Sequence, residues 1–212
     1  MRAFAIVPVR RLSACKSRLS PMLSQGERAE LCKAMLMDVL DALLKAEGLE
    51  GAFVVSPDAE ALSIAKSAGA EPIREDEEAG VDRAAALAIK RCAELGAAAL
   101  IIPSDVPLIE PRDVESMVRL ASGGRAVVLA PSLRMDGTNA LLMNPAGVIP
   151  TRYGSDSFKL HLAEASSRGI RAAIYASHRV MLDVDLPEDA AELARAPGST
   201  RSQRMLRSVL GQ

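Results

Sequence analysis

Ala97-Ala98-Ala99-Leu100-Ile101-Ile102-Pro103-Ser104-Asp105-Val106-Pro107-Leu108-Ile109 is the stretch whose reading decides the fold. Ala97 to Ile102 is a short, uninterrupted apolar run that follows a helix-like segment, which suits a parallel strand buried on both faces at the centre of a sheet. Pro103 and Pro107 bracket Ser104-Asp105-Val106 and deny the chain a continued ladder or an immediate helix. Asp105 is thereby expected just past the strand's end. In open α/β sheets ligands gather at that carboxyl edge, where a carboxylate can hold a divalent cation against phosphate oxygens. Capping a turn or the next helix is the alternative role for a single Asp beside prolines.

Upstream, Ala3 to Val9 reads as a first strand and Gly51 to Ser56 as a second. A helix over 59–68, closed by Gly69, leads to a short third strand at Glu71-Pro72-Ile73. An alanine-rich helix from Arg83 to Leu95 precedes the central strand. Ser24 to Lys45 opens on a capping-box pattern and carries Leu31, Met35, Val39 and Leu43 at helical spacing. This alternation predicts an α/β fold with a mostly parallel sheet and right-handed crossovers. Downstream come a helix from Pro111 to Ala121, a strand over 126–131, and Ala140 to Met143 as a strand beside it, either parallel or antiparallel. A helix then reaches Ser167, a late strand covers Ile170 to Tyr175, and a helix spans Ala190 to Arg195. One domain is expected over 1–196. The polar tail, 197–212, has Leu206, Val209 and Leu210 at helical spacing and either docks as a helix or lies loose. Arg74 to Glu78 reads as a solvated acidic loop.

The chain has 212 residues, is 49% hydrophobic but only 2% aromatic, and carries a net charge of -1. Its core must come from Ala, Leu, Ile, Val and Met, which favours helix-rich α/β packing. Near-neutral charge supplies no global field for nucleic acid. Cys15, Cys32 and Cys92 have no metal-type spacing and read as reduced thiols of a cytoplasmic protein. The N-terminal apolar run is too short for a signal sequence or membrane span.

Four cations, Arg10, Arg11, Lys16 and Arg18, fall within nine residues after the first strand. Among small side chains they suit a polyphosphate, although neither the Walker A nor the dinucleotide glycine pattern is present, and a solvated basic loop is the plainer alternative. Asp183 and Asp185, two apart on an extended strip, project the same way about 7 Å apart at their Cα atoms. Together with Asp105 they make an acidic site suited to Mg²⁺; helix capping by Asp185 is the competing account. Asp136-Gly137-Thr138-Asn139 and Tyr153-Gly154-Ser155-Asp156-Ser157-Phe158 each pair glycine with hydroxyls. The second enters a helix N-terminus, where free N–H groups favour an anion.

These motifs resemble the 2-phospho-L-lactate guanylyltransferases of coenzyme F420 biosynthesis, with the related phosphoenolpyruvate guanylyltransferases. The resemblance runs from Ile6-Val7-Pro8-Val9 and Lys16-Ser17-Arg18-Leu19-Ser20 through Ser104-Asp105-Val106-Pro107-Leu108 and Gly137-Thr138-Asn139-Ala140-Leu141. It continues through Tyr153-Gly154, Ser157-Phe158 and His161 to Asp183-Val184-Asp185-Leu186-Pro187. It implies a three-layer, mostly parallel sheet of nucleotide-diphospho-sugar transferase type, a homodimer, and GTP and a small phosphorylated three-carbon acid as substrates. On the same basis Asp105, Asp183 and Asp185 would hold Mg²⁺, and Thr138, Gly154 and Ser157 would receive the acid's phosphate. Lys16 and Arg18 would face the GTP phosphates, with Ser56, Gly80 and Asp82 beside the guanine. The family usually carries Asn where Asp82 stands; a carboxylate accepting from guanine N1 and N2 is a reasonable replacement.

Such a reaction needs no Ser-His or Cys-His pair, because a phosphate monoester is already mostly ionised at neutral pH. Alignment and charge neutralisation suffice. His161 is accordingly expected to be structural or to support another side chain, and His178 to lie in a loop. The rival readings are a same-fold enzyme acting on molybdopterin or a sugar phosphate, and a nucleotide-binding regulatory protein without turnover.

Overall fold

In the computed structural model of the chain, residues 1–77 and 80–211 are described. Strands β1 (Ala3–Pro8), β2 (Gly51–Ser56), β3 (Glu71–Arg74), β4 (Ala98–Ile101), β5 (Ala126–Pro131), β6 (Thr138–Asn144) and β7 (Arg171–Ile174) form one sheet. Their order is β3-β2-β1-β4-β6-β5-β7, so β4 is central. It runs parallel to β1, as expected, but antiparallel to β6. The short turn after β5 makes β6 its antiparallel hairpin partner, and β6 is the strand that inserts beside β4.

Alternation along the central strands feeds two cores. Ala98, Leu100 and Ile102 face one side with Ala140 and Leu142, whereas Ala99 and Ile101 face the other with Leu141 and Met143. The first side is covered by helices α1 (Gln25–Lys45), α2 (Ala59–Ala68), α4 (Pro111–Leu120), α7 (Pro187–Arg195) and α8 (Arg201–Leu210). The second is covered by α3 (Val81–Glu94) and α5 (Ser157–Ser167). The result is a three-layer sandwich. Local signals start and stop these helices where the sequence suggests. Ser24 and Glu27 form the capping box of α1. Gly69 closes α2 at φ 94°, a conformation L side chains resist.

The tail docks. Asp38 on α1 accepts from Ser202 N at 2.9 Å, Ser202 Oγ at 2.7 Å and Arg201 N at 3.0 Å. Gln203 Nε2 donates to Leu193 O and Ala196 O, so α8 is tied to α7 as well. A buried Asp113 on α4 accepts two bonds from Arg179 and one from Tyr175 OH, anchoring the segment that leads to Asp183. Burial pushes the Asp113 carboxyl upward, but Arg179 and Tyr175 outweigh it and hold it low.

Several expectations are corrected. Cys15 and Cys32 are not free thiols: they form a disulfide, because two short 3-10 turns at Leu12–Ala14 and Ser17–Leu19 fold the loop back onto α1. Cys92 remains a free, buried thiol, pushed up to about 11 by burial. The strip 182–186 is extended as expected, with hydrogen bonds to the loop after β4 and to Asp189. His178 opens a four-residue helix, α6 (His178–Met181), and bonds Glu192 Oε1 through Nε2 at 2.7 Å. In the acidic stretch Glu75 is buried, its N–H donating to Ser56 O, while Glu78 lies outside the described residues. No helix among the described residues is long and apolar enough to cross a membrane.

Candidate active site

A cavity of about 500 Å³ opens at the carboxyl ends of β1 and β4. The loop after β1 supplies Lys16 and Arg18, and the loop after β4 supplies Asp105. Asp183 and Asp185 come from the connection after α6, while Thr138 and Asn139 come from the start of β6. Gly154 and Ser157 close the rim. Chain segments some 80 residues apart meet here because Val184 N donates to Asp105 O at 3.0 Å, so the extended strip is laid against the strand-end turn.

Lys16 organises the acidic side. Its backbone is left-handed (φ 50°, ψ 44°), an arrangement that costs a non-glycine residue about 1 kcal/mol. Its ammonium, largely but not wholly buried, lies between two carboxylates, bonded to Asp105 Oδ2 and, at 2.7 Å, to Asp185 Oδ1. Burial alone would lower the Lys16 pKa, but Asp105 and Asp185 outweigh it and hold it raised. Its charge is therefore permanent across the neutral range. Arg18, with 71% of its side chain exposed, stands 3.9 Å from Asp185 and faces the opening.

Among the described residues no cation is bonded to Asp183. Burial first, then the Asp105 charge, raises its pKa from 3.8 to about 6, against the pull of a 3.0 Å bond from Asn139 Nδ2. Asp105 Oδ1 is buried with no hydrogen-bond partner among the described residues. A buried carboxylate oxygen left bare beside a second, disfavoured carboxylate is the donor chemistry a hard divalent cation satisfies. Among the described residues no three acidic, histidine or cysteine side chains already stand as a metal cluster; Lys16 Nζ occupies the space between Asp105 and Asp185.

The sign of the Asp183 shift gives a test. A folded-state pKa above the unfolded one means the native protein binds the proton more tightly, so ionising Asp183 costs stability as pH rises from about 4 through 6. Asp183→Asn is thus expected to raise the melting temperature in cation-free buffer at pH 8, the gain shrinking to nothing near pH 4. A variant that melts below the parent at pH 8 would show the carboxylate to be favourably placed.

The opposite wall is neutral and hydroxylic. Consecutive residues of β6 point to opposite faces, sending Thr138 toward α5 and Asn139 toward α6. Thr138 Oγ1 lies 3.0 Å from His161 Nδ1 and 3.2 Å from Ser157 Oγ. Gly154, at φ 131°, lets the chain turn into α5 where a side chain would be strained.

Eight of the residues singled out in the sequence therefore line one cavity: Lys16, Arg18, Asp105, Thr138, Gly154, Ser157, Asp183 and Asp185. Ser56, Gly80 and Asp82 do not. Ser56 is fully buried and its Oγ accepts from Asp58 N at 3.0 Å. Asp82, in the first turn of α3, accepts from Tyr153 N at 3.0 Å and so tethers the rim loop, while Gly80 caps the helix. Three residues that hold the site together escaped the sequence reading. Asn139 grips Asp183 and the Val180 and Met181 carbonyls. Asp189 receives Asp185 N and Leu186 N, and Arg134 bonds Asp189 at 2.7 Å. Asn139 lies in the Gly137-Thr138-Asn139-Ala140-Leu141 motif, but long-range pairing has no local signal.

The fold is one that solved nucleotidyltransferases share. A solved structure from Desulfovibrio desulfuricans G20, provisionally described as a nucleotide-diphospho-sugar transferase, superimposes with a TM-score of 0.79 at 15% identity, covering 99% of this chain and 95% of that one. The chain belongs to the guanylyl transferase family described as "Guanylyl transferase CofC like", which matches residues 3–211. A phosphoenolpyruvate guanylyltransferase from Rubrobacter xylanophilus is 41% identical over 93% of this chain and 96% of its own. A 2-phospho-L-lactate guanylyltransferase from Methanothermobacter thermautotrophicus is 38% identical over 99% and 92%. A 3-phospho-D-glycerate guanylyltransferase from Phenylobacterium zucineum is 35% identical over 96% and 95%. The family resemblance read from the motifs is borne out.

Proposed function

We propose that this enzyme joins GTP to (2S)-2-phospholactate, giving lactyl-2-diphospho-5'-guanosine and pyrophosphate, a step of coenzyme F420 biosynthesis. The observation that carries the reading is the two-sided cavity, with ammonium and carboxylates on one wall and hydroxyls with a glycine turn on the other. A phosphate oxygen of the acid attacks the α-phosphorus of GTP; that P–O bond forms as the bond to the bridging oxygen of pyrophosphate breaks. The attacking group is already ionised near neutrality, so no side chain need remove a proton. Thr138 and the Gly154 turn receive the acid's phosphate and fix its approach, with the Ser157 hydroxyl holding Thr138 from behind, and Lys16 and Arg18 neutralise charge on the departing pyrophosphate. Asp105, Asp183 and Asp185 are the residues that would hold Mg²⁺, which supplies charge neutralisation and Lewis-acid polarisation of the phosphoryl oxygens.

Phosphoenolpyruvate is the second reading, favoured by the 41% identity of the Rubrobacter relative. The three acids differ by an oxidation state or a hydroxyl, a difference worth at most a few kcal/mol in a pocket that does not bond the distinguishing group. Incubation with GTP, Mg²⁺ and 2-phospho-L-lactate, phosphoenolpyruvate or 3-phospho-D-glycerate separately, read by pyrophosphate release and product mass, decides between them. Phospholactate is expected to give the highest kcat/KM. GTP binding without product from any of the three would turn the assignment toward a regulatory nucleotide binder.

A further inference from the structure

Two hydrogen bonds at the hydroxylic wall determine where each proton lies. Arg152 N donates to His161 Nε2 at 2.8 Å, so Nε2 presents its lone pair. The opposite tautomer would set two N–H groups against each other at that distance. His161 is fully buried, and burial pushes its pKa down to about 4 despite Asp82 and Glu164 nearby, so the ring is neutral. The single ring proton then belongs to Nδ1, which donates to Thr138 Oγ1 at 3.0 Å. Ser157 Oγ donates to the same oxygen at 3.2 Å. A hydroxyl oxygen accepts two hydrogen bonds and donates one. With both acceptor places taken, the Thr138 proton is left for the cavity that Thr138 lines.

We infer that His161 is a positioning residue: its Nδ1–H and the Ser157 hydroxyl commit Thr138 to being a donor, so that this corner offers a ligand oxygen a hydrogen bond and no acceptor in return, which favours an ionised oxygen. The ligand class follows. An ionised phosphate oxygen fits, whereas an alcohol or protonated acid would be compelled to accept without donating. The phosphate rests on the reading of the cavity as a phosphoacid site; the tautomer does not.

The first arm of the test uses the wild-type, ligand-free protein. Long-range ¹H–¹⁵N correlation of the histidine rings is expected to show His161 with a protonated Nδ1 and a bare Nε2 throughout pH 6 to 8. A protonated Nε2, or a doubly protonated ring, would overturn the inference whatever reaction the enzyme catalyses. The second arm compares His161→Phe with His161→Asn, whose amide N–H reaches the Nδ1 position. With the phosphoacid, His161→Phe is expected to raise its KM by about 10- to 100-fold with the KM for GTP within about twofold. His161→Asn should recover most of the loss. Equal damage from both substitutions, or equal shifts in the two KM values, would mean that the ring only fills space. If the wild type turns over no phosphoacid, the functional reading fails, and the ring's proton still decides the role of His161.

Discussion

Asp105→Asn is expected to cut guanylyl transfer by about 10³-fold or more while the protein still folds and melts close to the parent. The two halves of this expectation have separate grounds. Activity falls because Asp105 is where the ammonium of Lys16, the peptide of Val184 and an unsatisfied buried carboxylate oxygen meet. An amide of the same shape keeps the backbone contact and removes the charge. Stability holds because Lys16 retains Asp185 as partner and because one of three crowded carboxylates has been discharged. Single-turnover assays and a thermal melt check both halves. An unchanged rate would remove Asp105 from the chemistry, and a collapsed melt would make it a structural residue.

Lys16→Met should be more damaging, since it affects both rate and stability. A loss of about 10³-fold in turnover is expected if Lys16 has the role proposed for it, neutralising leaving-group charge. Removing one member of a buried charge network also leaves the others uncompensated. Half-exposure of Asp185 reduces that cost to about 2–3 kcal/mol. The pH dependence has a definite sign. Burial drives the Asp185 pKa up, but Lys16 outweighs it and holds the carboxyl below 3.8. That contribution to stability is present above the unfolded pKa and disappears in acid. The gap in melting temperature between Lys16→Met and wild type should therefore be widest at pH 7 and narrow toward pH 3 to 4. Lys16→Arg is not expected to rescue turnover, because a planar fork cannot occupy the place of a compact point charge. A gap that fails to narrow below about pH 4 would show that Lys16 stabilises by packing alone.

The fold was largely legible in the sequence because its signals are local. The apolar run ending at Pro103, the capping box at Ser24 and the glycine after α2 each state a boundary within a few residues. Antiparallel pairing of β6 with β4 has no such marker, since buried strands of either sense read alike. Asp105 was legible as a carboxylate just past a strand end and Asp183 with Asp185 as a pair on an extended strip, and their convergence was expected. What brings them together was not: Asp105 O meets Val184 N, and Asn139 Nδ2 meets Asp183, over separations that periodicity cannot carry. Asp82 and Ser56 mark the same limit from the other side. Both sit where a family pattern suggests base contacts, and in the folded chain their side chains engage the backbone at Tyr153 and Asp58. The missed cystine is a third instance, as nothing about residues 15 and 32 in sequence says that a loop doubles back between them.

That cystine lies on the cavity wall, one residue before the lysine that faces both carboxylates. Its covalent tether trims the number of shapes the basic loop can adopt, so the loop meets any ligand with part of its freedom already surrendered. A sample kept with dithiothreitol and one kept in air are for that reason two distinct reagents, and rate constants from the two should not be pooled.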